Sequence, residues 1–477
     1  MSSEKKPFYI TTAIDYVNGA PHVGHATEKV IADAIARYWR ARGEEVFFLT
    51  GTDENSLKNV QAAEAAGKET SVFVDENVQK FRDLGETLHL SFDDFIRTTE
   101  KRHFDGAQKL WKLFAKDDVY KKKYRGLYCV GCEEFKLEKD LENGLCPEHG
   151  RAPEMVEEEN WFFRLSAYGD VLKEKIAGDE MKILPEFRKN EVLSFIDGGL
   201  EDFSISRSVE RAKHWGVPVP DDPEQIMYVW VDALSNYITA LDFATDGERY
   251  EMFWNSDGER THVIGKGILR FHAVYWPAML LSAGLPIPTT IYAHEYLTVE
   301  GKKMSKSLGN VIAPGDLTEE FGTDGTRYLL LSSLPYSKDG DLSHDRMIEK
   351  YNADLANGLG NLASRVLALG GAFVGTQKDH ATVRSIDLTT EMEQFRLAEV
   401  LERIWERIAE ANKYIEDEKP WELKKTDPEK FEAVMRHLLD ELRSIAEALA
   451  PFLPETTEKI FAMLETGGKQ MLFARVE

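Results

Sequence analysis

The chain has 477 residues and a formal net charge of −24, from 83 acidic against 59 basic side chains. That length gives about three domains with ample buried core; no apolar run approaches the roughly 20 residues of a membrane span, and Met1-Ser2-Ser3-Glu4-Lys5-Lys6-Pro7 lacks the apolar segment of a signal peptide. Three clustered cysteines exclude a disulfide framework and point to a metal in a reducing cytoplasm, while the acidity by itself favours a small-molecule enzyme over an RNA binder, although phosphate contacts need only a local basic patch.

Pro7-Phe8-Tyr9-Ile10-Thr11-Thr12-Ala13 reads as a buried strand, rich in β-branched and aromatic residues. A turn over Val17 to Pro21 follows, then a helix whose apolar positions Val30, Ile31, Ala34, Ile35 and Tyr38 keep helical spacing up to a cap at Gly43. His22 and His25 stand one turn apart at the start of that helix. Free backbone N–H groups and the helix dipole favour an anion there, and two imidazoles add donors, so phosphate is the expected ligand; a plain capping role is the alternative. The next strand, Val46 to Thr50, completes a strand-helix-strand unit and runs into Gly51-Thr52-Asp53. In open parallel sheets ligands bind beyond the carboxyl ends of strands where the order reverses, which places Asp53 at such a crevice.

Residues 54 to 116 read as mostly helical, with a strand and loop within Leu88 to Ile96. The basic run Lys121-Lys122-Lys123-Tyr124-Arg125 opens an insertion that lasts to about residue 223. Inside it, Cys129-Val130-Gly131-Cys132 and Cys146-Pro147-Glu148-His149 match a zinc knuckle, because each x-x-spaced pair can turn its donors onto one tetrahedral ion; all four positions are filled, so the site is structural, and a metal-free relic is the alternative. Asn160 to Leu165 and Phe203 to Arg207 read as strands, and Trp215 to Pro220 as a rigid exit. Met227 to Leu234 reads as an apolar strand running into a helix that carries Tyr237, and the block His262 to His272 follows. From about residue 350 the chain reads as helical, with one apolar stripe over Leu397, Val400, Leu401, Ile404, Trp405 and Ile408 and another over Val434, Leu438, Leu442, Ile445 and Leu449. Gly358-Leu359-Gly360-Asn361-Leu362-Ala363 fits a dinucleotide-binding pattern, but no strand precedes it.

Gly301-Lys302-Lys303-Met304-Ser305-Lys306-Ser307-Leu308-Gly309-Asn310, paired with His22-Val23-Gly24-His25, resembles the two signatures of class I aminoacyl-tRNA synthetases, and the motif order along the whole chain resembles the methionyl-tRNA synthetase family. The resemblance implies an α/β fold, a Rossmann-like parallel-sheet catalytic domain split by a zinc-knuckle insertion and followed by an all-α helical bundle. Its expected boundaries are 1–117 for the first catalytic half, 118–223 for the insertion, 224–297 for the second half, 298–349 for the signature-loop and stem-contact region, and 350–477 for the anticodon-binding helices. The insertion is too short for the editing domains of the otherwise similar leucyl, isoleucyl and valyl enzymes.

The implied activity is ATP-dependent formation of methionyl-adenylate and pyrophosphate, then transfer of methionine to the 3′-terminal adenosine of methionine tRNA, initiator and elongator alike. His22, His25, Lys303 and Lys306 match the catalytic positions, with Gly24 and Ser305 completing the ATP site. Ile14, Tyr16, Trp230, Ala233, Leu234, Tyr237, Ile268 and His272 match the methionine pocket, and Asp53 is expected to take the α-ammonium. Aromatic faces, a hydroxyl and a backbone N–H suit an apolar, polarizable thioether. Two departures stand out: the family's Asp-Glu-His-Gly is Asp53-Glu54-Asn55-Ser56, so roles for Asn55 and Ser56 do not carry over, and Gly267 replaces a common Asp. Positions matching Asn361, Arg365 and Trp421 read the anticodon in the family, whereas the residues alone leave Trp421 equally able to be core. The implied cofactors are one structural zinc on Cys129, Cys132, Cys146 and His149, and magnesium with ATP. No membrane partner is expected, and the end at Glu477 without a further dimerisation domain suggests a monomer in the cytoplasm. An adenylate-forming nucleotidyltransferase without an RNA partner is the alternative of a different class, and an inactive binding paralogue a third.

Overall fold

Pro7–Thr12 is buried from Phe8 onward on both faces, as an unbroken apolar and β-branched run requires when a sheet is covered on both sides. In the computed structural model, which describes residues 6–129, 131, 134–136, 138–147, 150–304, 309–374 and 385–477, this strand lies inside a seven-stranded parallel sheet. Glu45–Asp53 flanks it on one side, with Phe8 opposite Val46, and Glu259–Gly265 on the other, with Phe8 opposite Glu259. Asp94–Arg97 and Asp15–Tyr16 both pair with Glu45–Asp53, while Thr290–His294 and then Lys182–Leu184 extend the opposite edge. The strand order therefore reverses between Pro7–Thr12 and Glu259–Gly265, and the crevice rule applies to the loops that leave these two strands. Lys182–Leu184 comes from within the expected insertion, so that segment also supplies an edge of the core sheet.

The inserted segment also contains a four-stranded antiparallel sheet from Val119–Cys129, Glu134–Lys136, Glu154–Phe163 and Phe203–Ser204, and the helices Gly169–Ala177 and Glu186–Asp197. Its register sets Lys123 opposite Glu159 and Arg125 opposite Glu157. Opposite charges on facing strands attract, so the basic run that opens the segment is matched by its neighbour and is not a bare cationic patch. The apolar run after it divides sooner than its composition implies: Gln225–Met227 is a strand antiparallel to Ser206–Ser208, and the helix Val229–Thr239 begins two residues later.

The chain divides into two compact units, Met1–Ala20, Gly43–Asp83 and Phe92–His294 in the first, Pro21–Arg42, Leu84–Ser91 and Glu295–Glu477 in the second. The helix Val23–Ala41 thus belongs with the C-terminal half of the chain. Its Asp33, fully buried, is held by Arg327 at 2.7 Å, and Arg327 also donates to the carbonyls of Leu88, Pro451 and Phe452 at 3.0, 3.0 and 2.8 Å. Arg37 and Ser91 complete the shell of Asp33, and these donors hold its carboxyl below the usual carboxylate range despite burial.

Beyond residue 350 the helices Tyr351–Gly360, Asn361–Gly370, Leu397–Glu418, Pro428–Leu449 and Pro454–Thr466 bury both predicted stripes, with one exception. Trp405 is half-buried, stacks on Tyr328 at 4.5 Å, and donates its indole N–H to the Asp354 carbonyl. The helical run ends at Thr466, where Gly467 turns with φ +72°, and residues 468–477 form no regular element. No described helix is long and apolar enough to cross a membrane.

Candidate active site

The helix Val23–Ala41 starts with a histidine as its cap. His22 has extended backbone and its Nδ1 accepts from the Gly24 N–H at 3.0 Å, while the His22 N–H donates to His25 Nδ1 at 3.1 Å. The rings stack at 3.9 Å. The Val23 N–H is also taken, by the Ile312 carbonyl at 3.1 Å. Expected free backbone donors at this helix start are therefore engaged at Val23 and Gly24. In each neutral ring an accepting Nδ1 leaves the proton on Nε2, so the donors this turn offers an anion are imidazole N–H groups. Gly24 is part of the same device: a Cβ there would lie 2.8 Å from His22 Cε1 and 2.9 Å from Nδ1.

In the same unit, Leu297–Val299 and Lys302–Lys303 form a hairpin whose turn Gly301 has φ +71°. Asp341 braces it, accepting from the Gly301 N–H and the Thr298 hydroxyl at 2.7 Å each, and these bonds lower its carboxyl pKa. Lys303 is exposed, with its ammonium 5.7 Å from the Tyr296 ring. Met304 reaches to 3.8 Å from the position a Gly24 Cβ would occupy, which brings this loop to the signature helix. Ser305 and Lys306 lie outside the described residues.

The first unit brings together the side chains expected to line the apolar pocket. Trp230, Ala233, Leu234 and Tyr237 recur at i, i+3, i+4 and i+7 on the helix Val229–Thr239, hence on one face. Trp230 lies flat on Phe271 at 3.9 Å and meets His272 edge-on at 6.4 Å. Ile14, Tyr16, Trp230, Ile268 and Phe271 are only partly buried and pack on the same core. Phe271 is absent from the residues expected by sequence, although its place beside His272 was a cue. His272 is buried, its Nδ1 is 2.9 Å from the Ile268 carbonyl and its Nε2 is 2.7 Å from the Tyr237 hydroxyl. A carbonyl only accepts, so Nδ1 carries the proton and Nε2 accepts from Tyr237. Burial pushes the His272 pKa down to about 4, which keeps this ring neutral at ordinary pH. His262 lies 4.0 Å from the Tyr237 ring, bonds Thr11 through Nδ1 at 2.8 Å, and is likewise driven far down by burial.

Asp53 ends the strand Glu45–Asp53 and is buried, with its carbonyl accepting from the Asn59 amide at 2.9 Å. Glu54 is held bidentately by Arg97 at 2.8 and 2.9 Å. Asn55 and Ser56, which depart from the familiar pattern, have local roles: Ser56 caps the helix Leu57–Ala65 through the Lys58 N–H, and the Asn55 amide donates to Asp232 and to the Thr98 carbonyl.

Of the expected metal ligands, Cys129 and Cys146 are buried, and the Gly150 N–H donates to the Cys146 carbonyl at 2.8 Å. Cys132 and His149 lie outside the described residues, among which no group of three metal-ligating side chains occurs. Cys129 and Cys146 are both buried thiols, the soft donors that a divalent ion such as zinc takes, so their chemistry fits that metal. In the second unit, Arg365 lies 5.8 Å from the Trp421 ring and pairs with Glu416 at 2.7 Å. Asn361, four residues before Arg365 on one helix, is exposed. Trp421 is 41% exposed, so it is not core.

A family model described as class I tRNA synthetases (M) matches residues 8–150 and 136–367, and the anticodon binding domain of methionyl tRNA ligase matches 377–473. Methionine–tRNA ligase of Thermotoga maritima is 43% identical over 474 residues, covering 95% of this chain and 74% of the relative. That of Brucella suis biovar 1 is 42% identical over 497 residues, covering 100% and 95%. The solved Mycobacterium tuberculosis methionyl-tRNA synthetase in complex with methionyl-adenylate superposes with a TM-score of 0.88 at 40% identity, covering 96% of this chain and 94% of that one.

Proposed function

This chain belongs to the class I methionyl-tRNA synthetases, and from that membership we propose a role for each part of its site. It is an ATP-dependent ligase that activates methionine as methionyl-adenylate and transfers the methionyl group to the 3′-terminal adenosine of methionine tRNA, initiator and elongator species alike. The methionine carboxylate attacks the α-phosphorus of ATP and pyrophosphate leaves. His22 and His25 donate Nε2–H to the phosphate oxygens as charge builds, with Gly24 giving them room, and Lys303, Ser305 and Lys306 bind the same phosphates. The observation that carries this reading is the stacked histidine pair whose Nδ1 atoms are both occupied by backbone N–H groups.

Asp53 receives the α-ammonium, and Ile14, Tyr16, Trp230, Ala233, Leu234, Tyr237, Ile268 and His272 enclose the thioether. Magnesium accompanies ATP and neutralises phosphate charge. Cys129, Cys132, Cys146 and His149 hold one structural zinc, which orders the insertion. Asn361, Arg365 and Trp421 read the anticodon, Trp421 by stacking on an unpaired base and Arg365 by hydrogen bonds to base edges. The catalytic halves are residues 1–117 and 224–297, the insertion 118–223, the signature-loop region 298–349 and the anticodon domain 350–477. The protein works as a cytoplasmic monomer. ATP–pyrophosphate exchange across the amino acids, followed by charging of a methionine tRNA bearing CAU or another anticodon, tests the whole reading. Exchange with methionine alone and charging that depends on CAU are expected; exchange without charging would leave only the adenylate-forming alternative.

A further inference from the structure

Asn55 stands where the resembled pattern has histidine, and it is built into a buried network that the reaction as described does not use. The side chain is 7% exposed and both of its amide hydrogens are engaged, with the Thr98 carbonyl at 3.0 Å and Asp232 Oδ2 at 2.9 Å. Asp232 Oδ1 accepts from His103 Nε2 at 2.6 Å, and His103 Nδ1 is 2.9 Å from the Thr239 hydroxyl. Asp232, His103 and Thr239 are all buried. Asp232, Asn236 and Thr239 recur at i, i+4 and i+7 and share one face of the helix Val229–Thr239, opposite the face of Trp230, Ala233, Leu234 and Tyr237. The network therefore grips the back of the helix whose front is the apolar wall. Its other end is the loop two residues past Asp53.

We propose that Asn55 is a positioning residue for the amino-acid substrate: through Asp232 and His103 it sets the separation between Asp53 and the thioether wall. The proposal rests on the reading that Asp53 takes the α-ammonium and that the Trp230 face takes the thioether. A ligand that uses both ends senses this separation, whereas a ligand that uses only the wall does not. An amide suits the position because both neighbours accept; a carboxylate at residue 55 would turn its oxygens on another carboxylate and a carbonyl.

The test compares methionine with 4-(methylthio)butanoate, the same chain without the ammonium, as ligands of the full-length enzyme, by exchange kinetics and competitive inhibition. Asn55→Ala should raise the methionine KM tenfold or more, leave kcat at saturating methionine and the ATP KM within about twofold, and leave the inhibition constant of 4-(methylthio)butanoate within twofold. Unchanged methionine binding, or equal losses for both ligands, overturns the proposal, the second outcome marking a merely structural role. Asn55→Asp, which keeps the shape but turns a carboxylate on Asp232 and the Thr98 carbonyl, carries the same expectations should the alanine variant fail to fold. Asp53→Asn separates the layers: normal methionine affinity in that variant removes the underlying ammonium reading, whereas a loss there beside a normal Asn55→Ala removes only the positioning role.

Discussion

Adding one methyl group at Gly24 should switch off catalysis while leaving the fold as stable as before. An alanine Cβ at this position lies 2.8 to 2.9 Å from the His22 imidazole, closer than side-chain carbons tolerate, so the ring must swing away. The swing breaks the bond from the Gly24 N–H to His22 Nδ1, a cap worth about 1 kcal/mol. The same substitution replaces glycine by alanine in a helix, a gain of about 0.8 to 1 kcal/mol. These nearly cancel, and the melting temperature should move by no more than about 2 to 4 °C. The rate has no such compensation. Losing one positioned donor to a developing charge costs roughly a hundredfold to a thousandfold. Methionine-dependent exchange and a melting curve on Gly24→Ala, His22→Ala and the double variant decide the matter. If the methyl acts through His22, the double variant is no slower than His22→Ala alone. Additive losses, or a near-normal rate in Gly24→Ala, would show that the ring does not serve the phosphates.

His272 is held neutral with a pKa near 4 against 6.5 unfolded, so the unfolded chain binds the extra proton first as pH falls. The His272 contribution to stability is then complete above about pH 6.5 and falls by about 3 kcal/mol towards pH 4; urea midpoints across that range should show the decline, and His272→Gln should make it shallower by that amount, leaving the share due to His262. Elemental analysis should find about one zinc per chain, lost in Cys146→Ser together with protection of residues 119–163 from proteolysis; metal-free protein with that segment intact would dismiss the site. Trp421→Ala should weaken charging tenfold to a hundredfold, as expected for a stacked base worth about 1 to 3 kcal/mol, with exchange nearly unchanged; equal losses in both assays would make the tryptophan structural.

What could be read from the sequence was what local periodicity carries. The strand at Pro7 and the helix after it were legible because a doubly covered strand is a continuous apolar run and a helix repeats every three or four residues. The shared face of Trp230, Ala233, Leu234 and Tyr237 follows the same repeat, though only resemblance marks it as a methionine-binding wall. Pairing between distant segments leaves no such trace. Nothing near Lys123 or Arg125 announces Glu159 and Glu157 as their partners, and Asn55, His103 and Asp232 meet across stretches that no local pattern links. The histidine cap was visible as a possibility, but spacing alone could not tell that backbone N–H groups would occupy both Nδ1 atoms and so decide which nitrogen is left to donate.

The buried pair of Asp33 and Arg327 also sets a timetable for biosynthesis. A ribosome adding about 5 to 20 residues per second needs roughly 15 to 60 s to travel from one partner to the other, and longer to reach the carbonyls of Pro451 and Phe452. Throughout that interval the nascent helix Val23–Ala41 carries an apolar face and a carboxylate that has Arg37 and, later, Ser91 beside it but not yet Arg327. A translation product that stops before Arg327 therefore lacks the cation against which Asp33 is buried, and the helix Val23–Ala41 keeps an uncovered apolar face.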